Sequence, residues 1–304
     1  MTSGKELHAS NFAARHASRI THHFSAFTLI ELLVVITILG ILAGLAVPAL
    51  KNISKSDANT SAARQLLDDV GRAHQMAISR HTTVYMVFVP VNFFNLNNVS
   101  GQNIVAGLNS IPLPSDRLAA LTALTNLVEK QLTGYGFLAL GTVGDQPGKH
   151  NWNYIGTWQN FPEGTFIASQ KFAPGTTFTI SAWQTEYGGQ PIPGFTNLSV
   201  PFPTTASPSV LMPCLVFDYA GRLVSETDGL GNYRNADIPL AQGGVSYGRD
   251  PVTRSPLPTT VPASAVSETP PGNSGIGNNN YSYNVIHIDA LTGRAVLQYY
   301  KMMP

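Results

Sequence analysis

The 304 residues include 43% hydrophobic and only 12% charged side chains, enough apolar material for a membrane segment and one globular domain. Eighteen lysines and arginines against seventeen aspartates and glutamates leave a formal net charge of +1, so no basic field indicates a nucleic-acid partner. The single cysteine, Cys214, excludes an intramolecular disulfide. We therefore expect a globular core that is held together without covalent cross-links, cofactors or bound metal.

Residues 1–26 form a polar leader that includes Arg15 and Arg19 and has no apolar run of its own. Its positive charge directly precedes an apolar segment, which favours retention of this end in the cytoplasm. Lys51 and Lys55, beyond the segment, reduce the charge asymmetry. The predicted orientation places the C-terminal part of the chain on the periplasmic or extracellular side.

Residues 27–50 read FTLIELLVVITILGILAGLAVPAL, with Glu31 as the one charged side chain. A helix of this length spans roughly 36 Å at about 1.5 Å per residue, and the hydrocarbon layer of a bilayer is about 30 Å thick. Helices in soluble cores are rarely apolar on every face over such a length. The segment therefore predicts a membrane-spanning helix.

Glu31 is the anomaly in this helix. A carboxylate near the bilayer centre costs about 2.5–3.5 kcal/mol and marks a functional position, although the cost is smaller near the start of the helix. An interfacial glutamate, favoured by the positive end of the helix dipole, is the alternative interpretation. The residues on either side of Glu31 favour a functional position.

The run of residues 26–31, AFTLIE, resembles the signature of the type IV prepilin and type II secretion pseudopilin family. In that signature a small residue, usually glycine, precedes Phe-Thr-Leu-Ile-Glu and an apolar helix; here the small residue is Ala26. The resemblance implies that an aspartyl prepilin peptidase cuts between Ala26 and Phe27 and then N-methylates Phe27. It also implies that Glu31 pairs with the N-terminal amine of a neighbouring subunit, which would offset two charges that are separately costly in lipid.

The resemblance extends to Gly40, Gly44 and Pro48, around which the family's helix is locally loosened. Glycine weakens a helix by about 1 kcal/mol, and proline removes a backbone hydrogen bond. Close packing between helices through small residues is a second use for the glycines. The glycines can therefore serve to loosen the helix, to pack helices closely, or both.

The helical pattern continues to about Arg80, because apolar residues recur at spacings of three and four. Asp68, Asp69 and Arg72 lie on the other face, so residues 51–82 are predicted as an amphipathic continuation that lays an apolar stripe on a sheet. A separate helix after a break at residues 52–59 is the alternative. The stripe consists of Ile53, Ala63, Leu66, Leu67, Val70, Ala73, Ala77 and Ile78.

Residues 84–89, VYMVFV, are β-branched and aromatic and predict the first strand. The stretch of residues 73–84 resembles the helix-to-strand junction of the minor pseudopilin H / FimT-like family, in which Ala-Arg-x-x-Ala-Ile precedes a polar turn and a valine strand. His74 stands in place of that arginine. This resemblance implies a minor, tip-associated subunit.

Residues 83–304 are predicted to form a β-rich globular domain, and the fold class is α+β: a long N-terminal helix packed on a C-terminal antiparallel β-sheet, as in pilins. A short helix is expected at residues 116–132. Polar, proline-rich insertions at about residues 201–213 and 250–280 are predicted as surface loops. Later strands are expected at residues 176–183, 210–218, 283–289 and 294–300, the last two as a hairpin.

Residues 244–248, GVSYG, fit the Gly-x-Ser-x-Gly pattern of a hydrolase nucleophile. That motif needs a helix after the serine, and Pro251 with the further prolines behind it blocks one. We interpret the segment as a flexible glycine loop and not as the site of a catalytic Ser246.

Residues 228–237 combine oxygen-bearing side chains with glycines. They lack the bidentate glutamate at the twelfth position of an EF-hand calcium loop. We interpret them as a polar hairpin turn. A calcium site is the alternative, because the related major pseudopilins bind calcium in a C-terminal loop.

Together these features predict a non-enzymatic, structural subunit of a type IV pilus-like or type II secretion filament, anchored by one helix in the inner membrane before assembly. The expected partners are prepilin peptidase, other pilin or pseudopilin subunits, the inner-membrane assembly platform and the lipid bilayer. The alternative is a Sec-secreted or membrane-anchored adhesin or enzyme that uses residues 27–46 as its signal sequence. Glu31 inside the apolar run and Pro48 just after the cut argue against that alternative.

Overall fold

The structure, a computed structural model, describes residues 28–141, 150–173, 177–178, 192–227, 230–258, 263–268 and 284–298. The side chains of residues 43–57 and 177–178 are not part of this description. The chain divides into two compact units, Met1–Leu50 and Lys51–Pro304. The strands in chain order are β1 (Thr83–Phe88), β2 (Gly134–Leu140), β3 (Trp152–Tyr154), β4 (Gln159–Asn160), β5 (Thr165–Ile167), β6 (Thr177–Phe178), β7 (Ile192–Pro193), β8 (Thr196–Pro201), β9 (Ser209–Phe217), β10 (Ala236–Ser246), β11 (Ala265–Glu268), β12 (Asn284–Ile288) and β13 (Ala295–Gln298).

The N-terminal helix α1 covers Leu29–Arg80 and ends at the residue where the sequence pattern predicts its end. The helical assignment includes residues 52–59, the place of the alternative break. At the C-terminal end His81 adopts a left-handed conformation with φ of 49°, a usual way to stop a helix. Among the described residues, no helix is both long enough and apolar enough to cross a membrane.

The first sheet has the strand order β3-β2-β1-β9-β8, with β4 also paired to β2. Every pairing in this sheet is antiparallel, as predicted. The predicted first strand is confirmed as β1, which lies at the centre between β2 and β9. The strand predicted at residues 210–218 is confirmed as β9.

The second sheet has the strand order β11-β10-β12-β13, and β5 pairs with β10. The predicted C-terminal hairpin is confirmed, because β12 and β13 pair antiparallel from Val285↔Gln298 to Ile288↔Ala295. The strand predicted at residues 176–183 falls mostly outside the described residues, which include only β6, paired with β7. The β-structure is therefore divided between two larger sheets and this small one.

The second half of α1 packs its small and aliphatic residues on both larger sheets. Side chains of a strand alternate between its two faces, so Val84, Met86 and Phe88 of β1 face the helix, while Val87 faces the other way. The helix contributes Ala62, Ala63, Leu66, Val70, Ala73 and Ala77, all fully buried. The predicted stripe is thus confirmed at Ala63, Leu66, Val70, Ala73 and Ala77, whereas Leu67 is only half-buried and Ile78 is exposed.

Two short helices, α2 (Ile104–Asn109) and α3 (Pro114–Leu127), cover the opposite face of the first sheet. Leu108, Leu124 and Leu127 pack there against Val87 of β1 and its neighbours. The expected helix at residues 116–132 is confirmed up to Leu127 and starts earlier, at Pro114, since proline is well tolerated in the first turn. A 3-10 turn at Val128–Lys130 follows it. The first sheet is thus covered on both faces.

The predicted loop at residues 201–213 is wrong in part. Strand β9 begins at Ser209, so only residues 202–208 connect β8 to β9. Pro213 is accommodated because at that position β9 pairs only with β8, and its pairing with β1 starts at Cys214. Because no residue of β1 pairs with Pro213, its missing N–H breaks no ladder hydrogen bond with β1.

The loop predicted at residues 250–280 also contains a strand. Residues 265–268 form β11, which pairs with the end of β10 from Gly243↔Glu268 to Ser246↔Ala265. The glycine segment of residues 244–248 is therefore not a flexible loop at its start, because Gly244 and Ser246 belong to this ladder. The sequence pattern missed it because glycine and proline are poor strand formers.

Asp69 is a further correction, since its side chain does not lie on a solvent-facing surface of α1. The hydroxyl of Tyr135 in β2 donates to its Oδ2 at 2.5 Å. Gln65 Nε2 donates to the same hydroxyl at 2.8 Å, and burial together with Asp69 raises the pKa of Tyr135. Gln65 and Asp69 therefore fix α1 to the first sheet through one buried tyrosine.

Candidate functional site

Thr28 and Glu31 close a reciprocal cap at the start of α1. The Thr28 backbone N–H and its hydroxyl both donate to Glu31 Oε2 at 2.8 Å, and the Glu31 backbone N–H donates to Thr28 Oγ1 at 3.3 Å. This arrangement is a capping box, which satisfies backbone donors that the first turn of a helix leaves unpaired. The sequence interpretation missed it, although the Thr-x-x-Glu spacing before an apolar run is its usual signal.

Glu31 therefore has a role within its own chain besides any role between subunits. Its carboxylate lies in the first turn, where the helix dipole favours negative charge. Both contacts with Thr28 use Oε2, and the side chain is exposed. The second oxygen is thus available to a donor from outside the chain.

The surface that follows Glu31 is apolar around the whole helix. The large apolar side chains in residues 29–42 are 46–82% exposed, and a Cβ placed on Gly40 would meet no atom within 4 Å. Such a continuous patch is far larger than isolated apolar residues on a soluble surface and indicates contact with lipid or protein. The exposed residues are Leu29, Ile30, Leu32, Leu33, Val34, Val35, Ile36, Ile38, Leu39, Ile41 and Leu42.

The structure describes only some of the predicted site residues. Ala26 and Phe27 lie outside the described residues. Gly40, Gly44 and Pro48 fall within the assignment of α1, and the local loosening predicted around them stays a prediction. Glu31 is the site residue whose contacts are described in full.

The two other motifs do not form a shared site. Ser246 Oγ donates to the carbonyl of Ala265 in β11 at 3.3 Å. Residues 228–229 lie outside the described residues, while Asp237 belongs to β10 and contacts His287 Nδ1 at 2.7 Å. Within the described part of the chain, no three His, Cys, Asp or Glu side chains lie close enough to hold a metal ion.

The Asp237–His287 pair joins β10 to β12 at directly opposite positions. The hydrogen bond to Asp237 raises the pKa of His287 above its ordinary value, and the nearby charge of Asp289 acts in the same direction. Burial opposes this shift. Asn235 Nδ2 lies 3.4 Å from the other ring nitrogen, so the imidazole is held from both sides.

In a comparison with known protein families, the N-terminal segment of the chain matches one family. Residues 22–47 match the prokaryotic N-terminal methylation motif, which includes Ala26, Phe27 and Glu31. No curated protein and no solved structure shows significant similarity to the chain. The match supports the resemblance to type IV prepilins at the segment that contains the capping box and the exposed apolar helix.

Proposed function

We propose that this chain is a structural subunit of a type IV pilus-like or type II secretion pseudopilus filament. It is made as a precursor, cut by prepilin peptidase between Ala26 and Phe27, and methylated on the new amine of Phe27. Residues 27–50 anchor it in the inner membrane as a single span with the later residues outside. The same segment then forms part of the filament core, where it contacts other subunits, and the chain has no enzymatic activity of its own.

The apolar surface of residues 29–42 is the observation that carries this proposal. Apolar area left in water costs about 25 cal/mol per Å², so eleven exposed large side chains are tolerated only where lipid or protein covers them. The methylation motif covers the same residues. A bilayer before assembly and neighbouring apolar helices afterwards would both supply that cover.

The capping box supports the proposed processing. A cut before Phe27 leaves Thr28 and Glu31 in the product, so the start of α1 keeps its cap after the leader is gone. The other carboxylate oxygen of Glu31, which accepts neither hydrogen bond from Thr28, then lies close in sequence to the new amine. This places a negative charge where a neighbour's positive N-terminus would need a partner.

Within the filament class, we favour a minor, tip-associated subunit. The support is the resemblance of residues 73–84 to the minor pseudopilin H / FimT-like junction. In the structure this stretch contains the end of α1, the left-handed His81 and the first residues of β1. The inner-membrane assembly platform is the proposed partner that admits the subunit to the filament.

The proposal is tested by the N-terminus of the mature protein from a host that has a prepilin peptidase. Intact mass and N-terminal sequencing are expected to give N-methylated Phe27. Mature protein that still contains Arg19 would refute processing, and an N-terminus at Val47 would favour the Sec-secreted alternative. As matched variants, Ala26→Gly should be cut at least as well as the wild type, and Ala26→Leu should remain uncut.

A further inference from the structure

A cavity of about 650 Å³ lies in the globular unit between the segment after α3, β5 and β10. This volume falls within the range of about 300–1,000 Å³ that is usual for small-molecule sites. It is lined by the residues that follow α3, by the turn before β5 and by the end of β10. None of these residues belongs to the segment that the filament proposal uses.

The glycine segment of β10 forms one wall of this cavity. Gly243, Val245, Tyr247 and Arg249 line it together with Gly244, whereas Ser246 is not among the lining residues. From Val245 to Arg249 every second residue lines the cavity, as in extended backbone, whose successive side chains point to opposite faces. The wall includes exposed backbone at Gly244, where an added Cβ would meet no atom within 4 Å.

Both cationic side chains around the cavity are engaged by groups of the protein. Arg249 pairs with Glu129 at 2.8 Å and donates to the Tyr247 hydroxyl at 2.6 Å. Lys130 Nζ donates to the carbonyl of Trp158 at 2.8 Å. An anionic ligand would have to break these contacts, because each cation is already engaged.

Three polar side chains that line the cavity have no side-chain hydrogen bond to another described residue. Thr165 is 1% exposed, and its Oγ1 has no hydrogen-bond partner among the described residues. A buried hydroxyl without a partner is costly, and Thr165 is one of the residues that line the cavity. Thr133 and Glu163 line the same space, and the structure shows no side-chain hydrogen bond for either.

We propose that this cavity binds a neutral carbohydrate. Sugar hydroxyls both donate and accept hydrogen bonds, so they match a lining that combines a carboxylate acceptor, hydroxyls and exposed backbone. An apolar ligand would leave these polar groups desolvated without partners. The inference depends on the globular unit alone, and it stands or falls independently of the filament role.

Ligand-observed saturation-transfer NMR on the full chain tests the proposal. The protein is kept in lauryldimethylamine oxide, which has no sugar headgroup, and is offered glucose, galactose, mannose or N-acetylglucosamine. At least one of these neutral sugars should show saturation transfer. Glycine and glucuronate serve as zwitterionic and anionic probes of similar polarity and should show none.

Three variants locate the binding. Thr165→Val keeps the shape of the side chain, removes the unpaired hydroxyl and should weaken sugar binding at least tenfold without lowering the thermal midpoint. Glu163→Ala, at an exposed position, should weaken it at least threefold, while Ser246→Ala on the other side of β10 should have no effect. Absence of transfer from all four sugars, stronger transfer from glycine or glucuronate, or unchanged affinity in Thr165→Val would overturn the proposal.

Discussion

The carboxylate of Glu31 combines two tasks that can be separated chemically. As a hydrogen-bond acceptor it caps α1 through Thr28, and as a charge it would pair with a neighbour's amine in the proposed filament. Glutamine also serves at this position of a capping box, so it retains the first task and loses the second. One residue could therefore serve both the helix cap and the proposed charge pairing.

We predict that Glu31→Gln leaves membrane insertion and leader cleavage largely intact and strongly reduces incorporation into filaments. An amine with an ordinary pKa near 8 is mostly protonated at neutral pH, and leaving it unpaired in an apolar core is costly. The measurement is recovery of the variant in sheared filaments, normalised to its processed amount in the membrane.

The matched variant for this experiment is Thr28→Val, which removes the hydroxyl contacts of the cap and keeps the charge. Loss of an N-cap costs a helix about 1 kcal/mol, so its effect should be milder than that of Glu31→Gln. Wild-type recovery of Glu31→Gln in filaments would refute the pairing role and leave the cap as its whole function.

A second residue-scale prediction concerns His287. Because its pKa is raised in the folded state, protonated His287 stabilises the fold fully below its ordinary pKa of 6.5, and this contribution is lost as the pH rises through the raised value. His287→Gln should therefore lower the free energy of unfolding by about 1.5 kcal/mol in acid and by less in alkaline solution.

Urea unfolding of both proteins at about pH 5.5 and about pH 8.5 provides the comparison. Asp237→Asn is the control, since removal of the charge that faces His287 should flatten the pH dependence of the wild type. A difference between wild type and His287→Gln that is the same at both pH values would contradict the prediction.

At the scale of elements, the buried face of α1 depends on small residues. Ala62, Ala63, Ala73 and Ala77 are all fully buried against the sheets. Alanine allows the helix backbone to approach a sheet closely, and extra methylene groups in such a core force neighbouring side chains apart. The close packing of α1 on the sheets therefore requires these four alanines.

Ala73→Leu should accordingly destabilise the globular unit by about 1–3 kcal/mol. Gln75→Leu introduces the same side chain two residues away at an exposed position, and there the free energy of unfolding should change by no more than about 0.5 kcal/mol. Chemical denaturation of the two variants beside the wild type tests this. Equal stability of Ala73→Leu and wild type would show that the interface is loosely packed.

Elements with a strong periodic pattern were predictable from sequence, and elements defined by partners were not. Neighbouring residues alone indicate the structure of three elements: the apolar stripe of α1, the β-branched run of β1 and the hairpin of β12 and β13. Strand β10 contains Pro239 and Gly243–Gly244, which local propensity counts against a strand. Its pairing with β5, β11 and β12 overrides that propensity, and no local window contains those partners.

The same distinction holds for the candidate sites. The motif at residues 26–31 was recognisable because its residues are consecutive. The carbohydrate cavity combines Glu129, Thr165 and Arg249, which are far apart in the sequence and come together only through the fold. Asp69 was misplaced for a related reason, since its partner Tyr135 lies on a strand 66 residues later.

At the scale of the whole molecule, we predict a fold that needs neither metal nor disulfide. Cys214 is fully buried and free, and burial raises the pKa of its thiol, which suppresses the reactive thiolate. The thermal midpoint should be unchanged by excess EDTA and by a reducing agent. A clear drop with EDTA, restored by calcium, would instead support residues 228–237 as a calcium site.

Because β1 pairs with β9, the first sheet can be completed only after β9 has been synthesised. Strand β9 ends at Phe217, about 130 residues after β1, and translation proceeds at about 5–20 residues per second. The first sheet therefore stays open for on the order of ten seconds after its middle strand has been made. During that interval the edge of β1 that pairs with β9 and the alanine face of α1 lack part of the cover that they have in the finished fold.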